Sequence, residues 1–87
     1  MQQLTADPHQ LRALALGFER QATAIEQART TASNLLADTF WEGRDADRFG
    51  ATWHDQASRL TAIAQMLRSG AATLRQQADR QDAVSSR

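Results

Sequence analysis

Residues 41–53 read Trp41-Glu42-Gly43-Arg44-Asp45-Ala46-Asp47-Arg48-Phe49-Gly50-Ala51-Thr52-Trp53, and the first three decide how this chain of 87 residues folds. Apolar residues run up to Trp41 at helical spacing, and a second helical run begins just beyond it. Gly43 supplies a strong turn residue between the two. Two long helices joined by so short a loop bring their apolar faces together only by folding back as an antiparallel hairpin.

Working outward, Asp7-Pro8 predicts the start of the first helix, with Asp7 as N-cap and Pro8 at the first helical position. Leu11, Leu14, Phe18, Ile25, Ala28, Ala32 and Leu35 then recur at steps of three and four or their sums, interrupted only by Gln21. The spacing predicts a helix from about 8 to 39, roughly 48 Å long at the ~1.5 Å rise of an α-helix. On the far side of the loop, Asp45 is the expected N-cap, and Asp45 and Asp47 both suit the positive end of the helix dipole. Phe49, Trp53, Leu60, Ile63, Leu67 and Leu74 follow Ala46 on a heptad grid and predict a helix over 46–79. Residues 1–6 and 80–87 carry too little apolar pattern to be placed in either helix and are expected to be flexible.

A second stripe runs beside that grid: Gly50, Ala57, Ala64, Ala71 and Ala78, one every seven residues. Ala15, Ala22 and Leu36 mark a looser counterpart on the first helix. The apolar face is therefore three positions wide per heptad, the pattern of a bundle helix. The small stripe is expected to let a further helix approach. Chains of this size struggle to bury enough surface alone, so an all-α hairpin that dimerises into a four-helix bundle is expected, as one domain spanning 1–87. The hairpin and dimer interface is assigned to Leu11, Leu14, Phe18, Ile25, Leu35, Phe49, Trp53, Ala57, Leu60, Ile63, Ala64, Leu67, Ala71 and Leu74.

Composition narrows the function. Lysine plus arginine balance aspartate plus glutamate at ten each, so nothing points to nucleic acid or an acidic membrane surface. The absence of cysteine excludes thiol chemistry and disulfides. His9 and His54 belong to no metal-ligand spacing, and no nucleophile elbow or phosphate-cradling glycine loop is present. No catalytic, cofactor-binding or metal site is assigned, and an enzyme is not expected. The first ten residues lack the basic and apolar regions of a Sec signal peptide, and no apolar run reaches membrane-span length.

Trp41-x-Gly43, continuing into Ala46, Phe49 and Trp53 between two long helical patterns, resembles the WXG100 (ESAT-6-like) proteins, small helical hairpins that dimerise and are associated with type VII secretion. The resemblance covers nearly the whole chain. It implies pairing with itself or with another protein of the family, an indirect dealing with a secretion ATPase, and export by a non-Sec route after a cytoplasmic stage. It also implies that Trp41 and Gly43 form part of a recognition surface at the turn. The family's export motif is a C-terminal Tyr-x-x-x-Asp/Glu; here Ala78 stands at the tyrosine position before Asp82, and the chain contains no tyrosine. The expectation is therefore a partner that lacks the export motif within a secreted dimer. The alternative is a cytosolic dimeric chaperone or adaptor for a larger type VII substrate.

Overall fold

A computed structural model describes residues 6–85 and contains two α-helices, α1 (Pro8–Ala37, 30 residues) and α2 (Arg44–Ser85, 42 residues). They pack side by side as an antiparallel hairpin about 67 Å long, little more than the roughly 63 Å that α2 alone spans.

The ends of α1 follow from local chemistry. Asp7 is the N-cap: its Oδ1 accepts from the His9 amide at 2.9 Å, and Pro8 fills the first turn, where its missing N–H costs nothing. At the other end the Asp38 amide donates to Asn34 O and the Thr39 amide to Leu36 O. The Thr39 hydroxyl donates to Leu35 O at 2.7 Å. Carbonyls that would otherwise be orphaned are thus taken up within one turn.

The loop is 38–43. Gly43 has φ +112, a conformation that glycine alone adopts without strain. The Asp47 amide donates to Gly43 O at 3.0 Å, and α2 begins at Arg44, two residues earlier than the sequence suggests. Asp45 therefore lies inside the first turn instead of capping it, and Asp45 and Asp47 there favour the helix dipole. Helix α2 also runs beyond Asp79, where the apolar pattern ends, through Ser85. The extra turn and a half is tied back to α1 by Arg12, which donates to Asp79 at 2.8 Å and to Asp82 at 2.6 Å. Of the segments expected to be flexible, residues 1–5 and 86–87 lie outside the described residues.

The centre of the hairpin is alanine. Ala15 and Ala22 of α1 and Ala64, Ala71 and Ala78 of α2 have no exposed surface at all. Seven-residue spacing keeps each set on one helix edge, and methyl groups are small enough for two helices to pack closely along it. The small stripe of α2 therefore faces α1. It is the seam of the hairpin, where the sequence suggests a flank open to a further helix.

Among the described residues no large side chain is fully buried. The register is fixed by the Phe18 ring, which lies over Gly70: a β-carbon added there would stand 3.2 Å from the Phe18 Cδ2 and Cε2. Counting along both helices from that contact, the end of α1 lies opposite residue 51. The first seven residues of α2 thus project roughly 10 Å past α1, and the loop climbs beside them.

Candidate pairing surface

The two sides of the alanine seam differ in chemistry. On one side positions 12, 19 and 26 of α1 face 79, 82, 75 and 68 of α2, and every rung is an ion pair. Arg12 meets Asp79 and Asp82, Glu19 takes a two-bond fork from Arg75 at 2.6 and 2.7 Å, and Arg68 donates to Glu26 at 2.7 Å. Arg68 also donates to the Thr23 hydroxyl. The hydrogen bonds from Arg75 and Arg68 hold the Glu19 and Glu26 carboxyls below their ordinary range, against a smaller opposing effect of burial. The same bonds raise the three guanidinium groups. Each partner is more than a third exposed, so water screens these pairs and their main effect is on register. Nearer the loop, Trp53 Nε1 donates to Ser33 Oγ at 2.9 Å.

The other side of the seam is apolar. Leu11, Phe18 and Ile25 of α1 and Leu60, Leu67 and Leu74 of α2 are half-buried along it. Beyond them Leu14 is 48% exposed and Ile63 45%, with Leu35 and Met66 more open still. This surface is built from both helices, and among the described residues nothing covers it. The two long sides of the molecule are thus a closed, charged rail and an open, apolar face.

A second cluster lies at the loop end. Trp41 packs on Phe49 with ring centroids 5.5 Å apart and planes at 50°. Both remain about half exposed, and neighbouring Phe40 is 89% exposed. The overhang of α2 puts Phe49 beside the loop, so the aromatic pair braces the strap between the helices.

Among the residues predicted from the sequence, the structure buries Ala64 and Ala71 completely and leaves Ala57 partly exposed in the same stripe. Leu11, Phe18, Ile25, Trp53, Leu60, Leu67 and Leu74 lie half-buried beside the seam. Leu14, Leu35, Phe49 and Ile63 lie outside it on exposed surface. Trp41 and Gly43 sit together in the loop.

Sequence reasoning missed the charged rail. Its signal was present: Arg12, Glu19 and Glu26 repeat every seven residues, and Asp82, Arg75 and Arg68 repeat every seven with the opposite signs in reverse order. Phe40 and Met66 were missed as well, since neither belongs to the heptad grid.

Among the described residues no group of three His, Cys, Asp or Glu side chains is placed to hold a metal ion. Two surface depressions, one along Thr23–Thr31 and one along Leu16–Gln27, are open furrows lined by α1 residues. No helix in the described residues is long and apolar enough to cross a membrane. In comparisons with known proteins, no family model matches the chain, and no curated protein or solved structure matches it.

Proposed function

We propose that the chain is a pairing subunit, an ESAT-6-like protein of a type VII secretion system that acts by laying its apolar face on another hairpin to complete a four-helix bundle. One observation carries the reading: among the described residues the only fully buried apolar ones are five alanines, while large apolar side chains line an uncovered face. An alanine seam removes little apolar surface from water, and burial of apolar surface is what offsets the entropy of ordering a chain. A second hairpin on that face would supply the missing core. The link to secretion rests on the resemblance carried by Trp41, Gly43, Ala46 and Phe49. In this reading the aromatic loop end contributes to the surface that the secretion machinery engages, and the partner carries the export motif.

A second role is favoured by a specific observation, the absence of tyrosine from these residues. It is a dimeric adaptor for a larger type VII substrate that is not itself exported. Both roles work through the same face. Replacing Leu60 and Ile63 together with aspartate tests it, because pairing would then bury unpaired charge. The expected result is loss of the paired species by light scattering. A double variant that pairs as well as the parent would show that this face is not the one used.

A further inference from the structure

We infer that the hairpin parts at its loop end as a separate unit, and that Arg29 sets the point at which it parts. The half of the two helices away from the loop stays zipped while the loop half opens and closes.

The α1 edge of the seam runs Ala15, Ala22, Arg29, Leu36, one residue every seven. Toward the loop, the α2 edge runs Ala78, Ala71, Ala64, Ala57. The two α1 alanines before Arg29, and Ala78, Ala71 and Ala64 of α2, have no exposed surface, whereas Leu36 and Ala57 are partly exposed. The seam thus loosens where an arginine takes the place of the next alanine. Arg29 is half-buried, and its Nε is buried with no hydrogen-bond partner among the described residues. Glu26, whose carboxyl feels the Arg29 charge, takes its hydrogen bond from Arg68 at 2.7 Å instead.

The charged rail stops at the same place. Its rungs at Arg12, Glu19 and Glu26 all lie on the side away from the loop. One more seven-residue step on each helix reaches Ser33 and Thr61, and neither carries a charge. The Thr61 hydroxyl donates to Ala57 O of its own helix, while Ser33 Oγ accepts from Trp53 Nε1. A buried donor without an acceptor loses its hydration and regains it once water enters. Closing the loop half hides Arg29 Nε, and opening returns it to water. In the other half, alanine methyls fill the seam and the guanidinium groups of Arg12, Arg68 and Arg75 are all bonded. Local opening belongs where closure is penalised and cross-links are few. The loop has the slack for it, since six residues reach about 20 Å and packed helices stand ~8–10 Å apart.

Two substitutions separate the Nε from the charge. Arg29→Lys keeps a cation at the tip and puts a methylene where Nε stands; Arg29→Met removes both. Arginine, lysine and methionine have nearly equal helix propensity, so neither change acts through the isolated helix. Hydrogen exchange read by mass spectrometry on the purified chain compares the loop side, 30–37 and 44–60, with the far side, 9–26 and 64–80. In the parent the loop side should exchange about tenfold faster. Both variants should slow the loop side by roughly tenfold, the low end of what one unsatisfied buried donor contributes, and leave the far side unchanged. Arg20→Ala, at an exposed arginine of the same helix, should change neither side. Exchange that is uniform along both helices in parent and variants would overturn the inference, as would slowing shared equally by both sides. A lysine variant that behaves as the parent while the methionine variant slows would also overturn it, because the charge and not the starved Nε would then be the cause. Both sides are compared within one chain, so the outcome is independent of the pairing reading.

Discussion

Replacing Ala71 with leucine puts an isopropyl group into the seam of the hairpin. In a wide coiled-coil core that change adds apolar contact and stabilises. Here the outcome has the opposite sign. Ala71 has no exposed surface and lies in the same seam as the fully buried Ala15 and Ala22, so a larger side chain there has no open space to enter. The larger side chain either adopts a strained rotamer or forces the helices apart. Overpacking of this kind costs about 1–3 kcal/mol. For a domain of this size that corresponds to a fall in melting temperature of roughly 5–20 °C. Separation of the helices also pulls on the neighbouring rung, where Glu19 and Arg75 are held at 2.6 and 2.7 Å. The assay is thermal unfolding by circular dichroism, with Ala72→Leu as the control. Ala72 is exposed, and its substitution should stay within about 0.5 kcal/mol of the parent. A melting temperature that rises in Ala71→Leu but not in the control would refute the alanine seam and the hairpin register with it.

Three further outcomes follow from the two faces and the loop end. Ile63 keeps 45% of its surface in the single chain, so pairing would bury roughly another 1 kcal/mol of apolar side chain per copy. Ile63→Asp should therefore weaken a self-paired bundle by at least about 30-fold by sedimentation equilibrium, as two copies together supply ~2 kcal/mol before any charge is desolvated; an unchanged dissociation constant would count against this face. Trp41→Ala removes a half-exposed side chain whose ring packs on Phe49, so helicity by circular dichroism should stay near the parent while binding to the proposed secretion partner falls; a collapse of helicity would assign Trp41 to the fold instead. The depressed Glu19 and Glu26 carboxyls stabilise the folded chain above their ordinary range near pH 4.5 and lose that contribution as pH falls through their lower folded values. Melting temperature should therefore be more sensitive to acid in the parent than in Glu19→Gln combined with Glu26→Gln, and equal acid sensitivity would remove the rail from the account.

Much of this architecture is legible in the sequence because it is local. Asp7-Pro8 announces a helix start by capping chemistry, the three-and-four spacing from Leu11 to Leu35 announces the helix, and Gly43 announces the turn. The seam was harder to read. Periodicity tells which residues share an edge of a helix, but not which edge meets which. The pattern alone thus offers Ala64 and Ala71 as a flank open to another helix, although they are where α1 packs. The register depends on the loop: six residues running beside an overhanging α2 slide the helices by about two turns, and no single residue signals that. The end of α2 was missed for a related reason. Its apolar pattern stops near Ala78, and what holds the next turn in place is a charge, Arg12, about seventy residues away in sequence. The candidate site was legible in its residues and not in its division. Leu60, Leu67 and Leu74 share a grid with Ile63, yet only the folded hairpin separates the half-buried leucines of the seam's edge from the exposed isoleucine beyond it.

The central claim is that this hairpin completes its core by pairing. The most direct test is the solution mass of the purified chain by light scattering, read with circular dichroism on the same sample. The account predicts that the chain alone is either a strongly helical species at twice 9.6 kDa, or 19.2 kDa, that loses helix on dilution, or a poorly helical monomer that gains helix only with an unlike partner. A 9.6 kDa species that keeps its full helix content and melts cooperatively at every concentration would contradict it. Five buried alanines would then be core enough.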